Sequence, residues 1–397
     1  MADERPRSAA MPRSTAMIER LVAFDTTSRN SNLEMIDFVR DHLAELGVES
    51  RLTHDDEGAK ANLYATLGPG DRPGICLSGH TDVVPVDGQD WETDPFRATI
   101  REGRVYGRGT ADMKSFIAAA LTFAPDILAR VKDTPIHFAF SYDEELGCLG
   151  APRLIAAIER MPVRPAMCII GEPTGMKVVT GHKGKRDLRC RVRGRECHSA
   201  YIHGGVNAIE IAAELVAFLG RMAQRLQREG PFEAAFDPPF TTVHVGTIAG
   251  GTALNIVPRE CTFEFEIRNL PGHDPEPLIE EVRAFAEAEL LPRMREVAVE
   301  SGIEWQPRAA YPGLATGDDG EVVRLAKRLA RANDTATVSF GTEGGLFDAA
   351  GIPTVVCGPG HIAQAHKANE FISLKQVAAC EDFLGRLLDE IGGDGAG

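Results

Sequence analysis

Apolar residues recur at helical spacing over Met17–Phe24 and Asn32–Leu46, the second run closing at Gly47. The chain then switches to short apolar runs bounded by Gly and Pro. Asn62–Leu67, Ile75–Ser78, Ile136–Ser141 and Met167–Ile170 predict strands, with helices over Met113–Leu128 and Ala151–Arg160. Strands alternating with helices imply an open α/β sheet covered on both faces.

The pattern changes near Gly181. From there it predicts a strand (Arg186–Val192), a helix (Asn207–Gln227), two strands (Thr241–Ala249 and Glu260–Arg268), a helix (Pro275–Val297) and a strand (Ile303–Arg308). That β-α-β-β-α-β order is the ferredoxin-like unit. After Pro312 the α/β pattern resumes, with a helix over Glu321–Ala332, a strand over Thr354–Cys357 and a helix over Leu374–Ile391. The expected fold is an α/β domain in two pieces, 1–181 and 312–397, with an α+β domain, 182–311, inserted. Residues 1 to about 14 read as a disordered lead-in and 392–397 as a Gly-rich tail.

Composition narrows the classes. The 397 residues carry 43 Lys+Arg against 58 Asp+Glu, a net charge of −15, which repels phosphate backbones and anionic lipid. The one dense basic run, Lys183–Arg195, alternates from Arg189 onward and predicts one solvated face of a strand rather than a nucleic-acid site. The eight cysteines contain no Cys-x-x-Cys pair and sit mostly in apolar contexts, so they read as reduced, buried thiols. With no long apolar segment and no signal-like N-terminus, a soluble cytoplasmic protein is expected.

Open α/β sheets bind ligands beyond the carboxyl ends of their strands. Ionisable residues gather at those positions: His80 and Asp82 after one strand, Asp112 before a helix, Asp143-Glu144-Glu145 after the next strand, then Glu172, and His366 after the last. His, Asp and Glu without Cys suit Zn²⁺, Co²⁺ or Mn²⁺, and a two-metal hydrolytic site needs about three protein ligands per ion, with one carboxylate shared. Neighbouring Glu144 and Glu145 diverge in an extended segment, so one can bind metal while the other serves as general base. No G-x-S-x-G elbow, phosphate loop, H-E-x-x-H helix or dinucleotide fingerprint competes.

Ser78-Gly79-His80-Thr81-Asp82-Val83-Val84-Pro85, Tyr106-Gly107-Arg108-Gly109-Thr110-Ala111-Asp112-Met113-Lys114 and Asp143-Glu144-Glu145 resemble motifs of the M20 family of dinuclear metallo-deacylases and peptidases. So do Gly171-Glu172-Pro173-Thr174, Glu196-Cys197-His198-Ser199, Gly251–Pro258 and Ala365-His366-Lys367. The resemblance implies a Zn-peptidase-like α/β catalytic domain with an inserted ferredoxin-like dimerisation or lid domain. It implies two divalent ions, Zn²⁺ or Co²⁺: His80 and Glu172 on one, Glu145 and His366 on the other, Asp112 between them. Glu144 would be the general base, Asp82 would orient His80, and His198 would stabilise the oxyanion from a partner subunit of a homodimer. Arg268 is expected to pair a substrate carboxylate, Glu343 a side-chain ammonium, and Asn255 to contact substrate.

The implied activity is hydrolysis of Nα-acetyl-L-ornithine to acetate and L-ornithine, a step of arginine synthesis, with no nucleic-acid or membrane partner. A desuccinylase or a broad N-acyl-amino-acid amidohydrolase is the alternative, and a non-catalytic dimeric binding protein the alternative from another class.

Overall fold

The computed structural model describes residues 11–392. The expected lead-in therefore lies largely outside the described residues, and so does the tail beyond Gly392. Two units divide the chain: Met1–Thr180 with Thr316–Ala336 and Thr342–Gly397, and Gly181–Ala315 with the short return Thr337–Gly341.

In the first unit, Ile136–Ser141, Ile75–His80, Met167–Pro173 and Thr354–Gly358 lie side by side in that order and run parallel. Every position in these strands is buried, which is why they read as continuous apolar runs instead of alternating ones. Ala61–Leu67 joins antiparallel to Ile136–Ser141, and Ser50–His54 joins antiparallel to Ala61–Leu67. Ile75, Leu77, Phe138 and Ile169 send their side chains into one core with helices Thr15–Val22, Leu33–Glu45, Lys114–Arg130, Glu321–Ala330 and Leu374–Gly392. The small run Ala118-Ala119-Ala120 keeps Lys114–Arg130 close to the sheet. The intervening strand residues, such as Cys76 and His137, face the other side by the two-residue period.

The second unit has a four-stranded antiparallel sheet in the order Thr242–Gly250, Glu260–Arg268, Lys185–Arg193, Gly302–Tyr311. Numbered along the chain this is 2-3-1-4, the ferredoxin-like arrangement. Leu188, Cys190 and Val192 point to a core shared with Leu215 and Met222 of helix Ala208–Glu229 and Val282 of helix Glu276–Phe285. The opposite face carries the basic run, and there Arg189 pairs with Glu264, Arg191 with Glu260 and Arg193 with Glu304. Cross-strand carboxylates thus neutralise the predicted basic face. Lys183 departs from that picture: it is buried and donates to the carbonyls of Pro238 and Phe240 at 2.7 Å each.

The single helix expected over Pro275–Val297 is broken. Glu276–Phe285 passes through a π-helical turn, Ala286–Leu290, into Leu291–Val297. Pro292 lacks a backbone N–H and its ring crowds the carbonyl one turn back, so a widened turn relieves the clash. Ser50–His54, an edge strand of mostly polar residues, and Phe371–Ser373, only three residues long, carry no apolar run to signal them in the sequence. All eight cysteines are free thiols, and all but Cys197 are buried. Among the described residues no helix is long and apolar enough to cross a membrane.

Gly171 shows how tightly helix and sheet meet. A Cβ there would sit 2.0 Å from Cγ of Phe116, a fully buried ring of helix Lys114–Arg130. Gly171→Ala is expected to cost about 1–3 kcal/mol through overpacking, seen as a lower midpoint in thermal or urea unfolding. An unchanged midpoint would mean that this contact does not constrain the strand.

Candidate metal centre

The carboxyl ends of the four parallel strands define the site. His80 closes Ile75–His80, Glu172 lies near the end of Met167–Pro173, and Glu144 and Glu145 follow Ile136–Ser141. Asp112 precedes helix Lys114–Arg130, and His366 lies beyond Thr354–Gly358. Two donor clusters result, His80–Asp112–Glu172 and Asp112–Glu145–His366, the candidate ligand atoms of each lying within 4.8 Å of one another.

Asp112 belongs to both. Its Oδ1 is 3.0 Å from His80 Nε2 and its Oδ2 is 3.4 Å from His366 Nε2. Glu172 Oε1 lies 3.6 Å from His80 Nε2, and Glu145 Oε2 lies 3.0 Å from His366 Nε2. His366 adopts φ +62°, a left-handed conformation that a non-glycine residue takes at a cost and that is common at functional sites.

Behind this rim Asp82 acts as a hub. Its carboxylate accepts from the backbone N–H of Glu144 at 3.0 Å and of Glu145 at 3.3 Å, and from Ser28 Oγ at 2.7 Å. His80 Nδ1 lies 2.9 Å from the Asp82 carbonyl and 3.5 Å from its carboxylate. Both bonds turn Nε2 toward Asp112 and Glu172, as metal-binding imidazoles require.

The electrostatics fit a cation. Burial raises the pKa of Glu172 well above the usual range, and Asp112 adds to the rise. Glu145 is pushed up to about 7 by burial and by Asp112, against the pull of His366. Asp112 is held low: burial alone would raise it, but His366 and His80 outweigh burial. No Lys or Arg forms an ion pair with Asp112, Glu145 or Glu172 among the described residues, and a dication would supply the missing positive charge. Oxygen and imidazole donors without thiolate suit Zn²⁺, Co²⁺ or Mn²⁺.

Glu144 stands beside both clusters. Burial raises its pKa well above the usual value, with His80 opposing and Glu145, Glu343 and Asp112 reinforcing. Its Oε1 lies 3.7 Å from the Cys148 thiol, which burial keeps protonated. Glu343 is also in this unit, though it is buried rather than open to solvent: Oε1 accepts from the Ser141 hydroxyl and Oε2 has no partner.

The remaining expected residues belong to the second unit. His198 Nδ1 accepts from the Ala200 N–H at 3.1 Å, and the Asn255 carbonyl accepts from the Ser199 N–H at 3.0 Å, so these two motifs are neighbours. Arg268 is engaged with Glu266 at 2.8 Å.

One pair went unnoticed in the sequence. Arg108 and Glu370, each 1% exposed, form an ion pair at 2.7 Å. The other Glu370 oxygen accepts from the backbone N–H of Ala111 at 2.8 Å and of Asp112 at 3.1 Å. Arg108 also donates to the carbonyl of Lys367, next to His366, and to Gln89 Oε1. Asp112 and His366, distant in sequence, are clamped by one salt bridge. An Arg flanked by Gly107 and Gly109 and a Glu four residues after His366 were the available signals.

This sheet, with a shared carboxylate at its strand ends, defines a hydrolase of the metal-dependent peptidase and deacylase type, and the chain belongs to peptidase family M20/M25/M40, whose sequence profile matches residues 76–390. It is 38% identical to an acetylornithine deacetylase of Myxococcus xanthus over 96% of this chain and 97% of that protein. An acetylornithine deacetylase of Proteus mirabilis is 35% identical over 92% of each. In fold it matches an M20 family metallo-carboxypeptidase of Sulfolobus solfataricus with a TM-score of 0.76 at 18% identity, over 96% of this chain and all (100%) of that one.

Removing Glu370 tests the clamp. Glu370→Ala strands the Arg108 charge and frees two N–H groups, an expected loss of about 3–5 kcal/mol of stability accompanied by lower metal stoichiometry. Glu370→Gln keeps an acceptor oxygen and should lose less of both. Equal metal content in the wild type and both variants, measured by elemental analysis of folded protein, would refute the positioning role.

Proposed function

We propose that this chain hydrolyses Nα-acetyl-L-ornithine to acetate and L-ornithine, as a step in arginine synthesis. The observation that carries the reading is Asp112 shared between two complete donor clusters with Glu144 alongside. The names of its relatives at 38% and 35% identity support the substrate. Gly181-His182-Lys183-Gly184 and Phe340–Phe347 resemble the corresponding motifs of such deacetylases.

Two divalent ions, Zn²⁺ or Co²⁺, held by His80, Glu172, Asp112, Glu145 and His366, would supply Lewis acidity toward the amide carbonyl and activate water. Glu144 takes the proton of the attacking water and delivers it to the departing amine nitrogen. Burial and the neighbouring carboxylates raise its pKa, which makes it a stronger proton acceptor than a solvated carboxylate. Asp82 keeps His80 oriented and fixes the backbone of Glu144 and Glu145.

Glu343 is the proposed partner of the substrate's side-chain ammonium. Its unpaired Oε2 supports this. Arg268 and Asn255 are the proposed contacts for the rest of the substrate, and His198 is the proposed donor to the developing oxyanion.

A homodimer is part of the same reading. Strand Thr242–Gly250 forms one edge of the second unit's sheet, with Ile248 51% exposed, and Leu254 nearby is fully exposed. An open edge flanked by apolar side chains suits pairing with a second copy. The proposed setting is the cytoplasm.

Amine release from Nα-acetyl-L-ornithine by Zn²⁺- or Co²⁺-loaded protein, beside a chelator-treated control, tests the reading. Chelator-sensitive turnover with kcat/KM of ~10⁴ M⁻¹s⁻¹ or above is expected, and Glu144→Gln should keep its metals while losing roughly 10²-fold or more in kcat. Metal-loaded protein without turnover would reject this substrate.

Glu343→Gln addresses selectivity. It should erode the preference for acetylornithine over a neutral Nα-acetyl amino acid by roughly tenfold or more, as loss of a charged hydrogen-bond partner does. An unchanged preference would remove Glu343 from substrate recognition.

A further inference from the structure

Glu144 and Glu145 project from a loop, 142–150, between strand Ile136–Ser141 and helix Ala151–Glu159. The segment belongs to neither a strand nor a helix, so no ladder of backbone bonds fixes it. Two of its non-glycine residues, Asp143 at φ +53° and Cys148 at φ +60°, take the left-handed conformation. Such backbone persists only where the surroundings over-determine it.

Part of that constraint closes the ends of the loop. The Glu144 carbonyl accepts from the N–H of Gly147 and Cys148 at 2.8 Å each, and the Gly150 N–H donates to the Tyr142 carbonyl at 3.1 Å. Asn62, fully buried on the neighbouring strand Ala61–Leu67, spans both ends: its Oδ1 accepts from the Tyr142 N–H at 3.2 Å and its Nδ2 donates to the Gly150 carbonyl at 3.0 Å. A Cβ on Gly150 would stand 2.2 Å from the Tyr142 carbonyl oxygen, so the ends meet with no room for a side chain.

The part that carries the two glutamates is held by Lys60, two positions before Asn62. Its Nζ lies 2.6 Å from both carboxylate oxygens of Asp143, which directly precedes Glu144, and it also donates to the Ser28 carbonyl. Ser28 Oγ in turn donates to Asp82, the carboxylate that receives the N–H groups of Glu144 and Glu145. An ammonium has three donors, enough for both acceptor groups at once. Lys60 thus reaches the loop twice, along the chain through Asp143 and across it through Ser28 and Asp82. Burial makes the grip count: the Lys60 and Asp143 side chains are 14% and 11% exposed, whereas the nearby Arg153–Asp56 pair is 42% and 85% exposed and screened by solvent.

We infer that Lys60 is a positioning residue for the reaction: its amine is spent on Asp143 and Ser28, and it acts by fixing the backbone from which Glu144 and Glu145 project. The inference rests on the reading of Glu144 as general base. A carboxylate displaced by about 1 Å loses its alignment with the attacking water, at a cost of up to ~10²-fold in rate. The loss falls on kcat, because no contact with bound substrate is removed.

Lys60→Met removes the charge and keeps a stem of similar length. It leaves Asp143 unpaired, so the double variant Lys60→Met/Asp143→Asn is made beside it. Amide hydrogen exchange of the full chain, read by mass spectrometry on peptides covering 142–150 and 114–130, needs neither metal nor substrate. Exchange over 142–150 is expected to rise roughly tenfold or more in both variants, with 114–130 unchanged. In turnover of Nα-acetyl-L-ornithine, kcat per metal-loaded chain should fall roughly tenfold or more while KM stays within about twofold.

Unchanged exchange over 142–150 would overturn the inference, as would faster exchange with an unchanged kcat or with a change in KM alone. A rise shared by both segments would make Lys60 a residue of general stability and overturn it too. Glu144→Gln in the same assay separates the two failures: wild-type activity in that variant rejects the base, whereas an inactive Glu144→Gln beside fully active Lys60 variants removes Lys60 alone. Wild-type protein without turnover rejects the substrate, and the exchange measurement then decides whether Lys60 holds the loop.

Discussion

Too many carboxylates sit together at one edge of a parallel sheet, and nearly everything around them answers that excess. Asp112, Glu144, Glu145, Glu172 and Asp82 share a volume with two imidazoles and, among the described residues, no paired lysine or arginine. Like charges in a poorly solvated space raise one another's pKa values and push apart unless the backbone holds them or a cation joins them. The hydrogen bonds onto Asp82 and the Arg108–Glu370 clamp are that backbone hold. The same crowding makes the place suitable for divalent ions and raises the pKa of Glu144, the proposed base.

The parallel sheet makes the crowding possible. Four strands buried at every position end at one edge, so residues far apart in the chain arrive together without any loop spanning the gap. Gly171 and Gly358 let neighbouring strands approach: a Cβ on Gly358 would lie 1.9 Å from the Gly171 carbonyl oxygen. Glu172 follows immediately, so the close strand contact also sets the height of a proposed ligand. Packing and chemistry are coupled within a few residues.

Legibility in the sequence was uneven for physical reasons. Long periodic segments, such as Lys114–Arg130 and Ala208–Glu229, and all-apolar strands declared themselves because burial demands their composition. The π-helical turn at Ala286–Leu290 did not, since Pro292 is also compatible with the start of a helix and only the preceding turn shows the conflict. Short strands of three residues carry too little periodicity to be read. Lys183 counted as part of a solvated basic run, yet the carbonyls of Pro238 and Phe240 draw it inside, a contact that depends on a distant loop.

The sequence by itself determined the chemistry available: which residues carry imidazole and carboxylate, their place at strand ends, and the change of pattern near Gly181 that marks the inserted unit. These are local properties, written in spacing and residue type. Only the tertiary structure decided that Glu370 holds the backbone of Asp112, that Glu343 is buried beside Ser141, and that His137 is buried against Tyr64 and Thr66. Each of those depends on distance between residues separated by long stretches of chain, and such distances are set by packing the sheet and its helices together, not by any pattern along the chain.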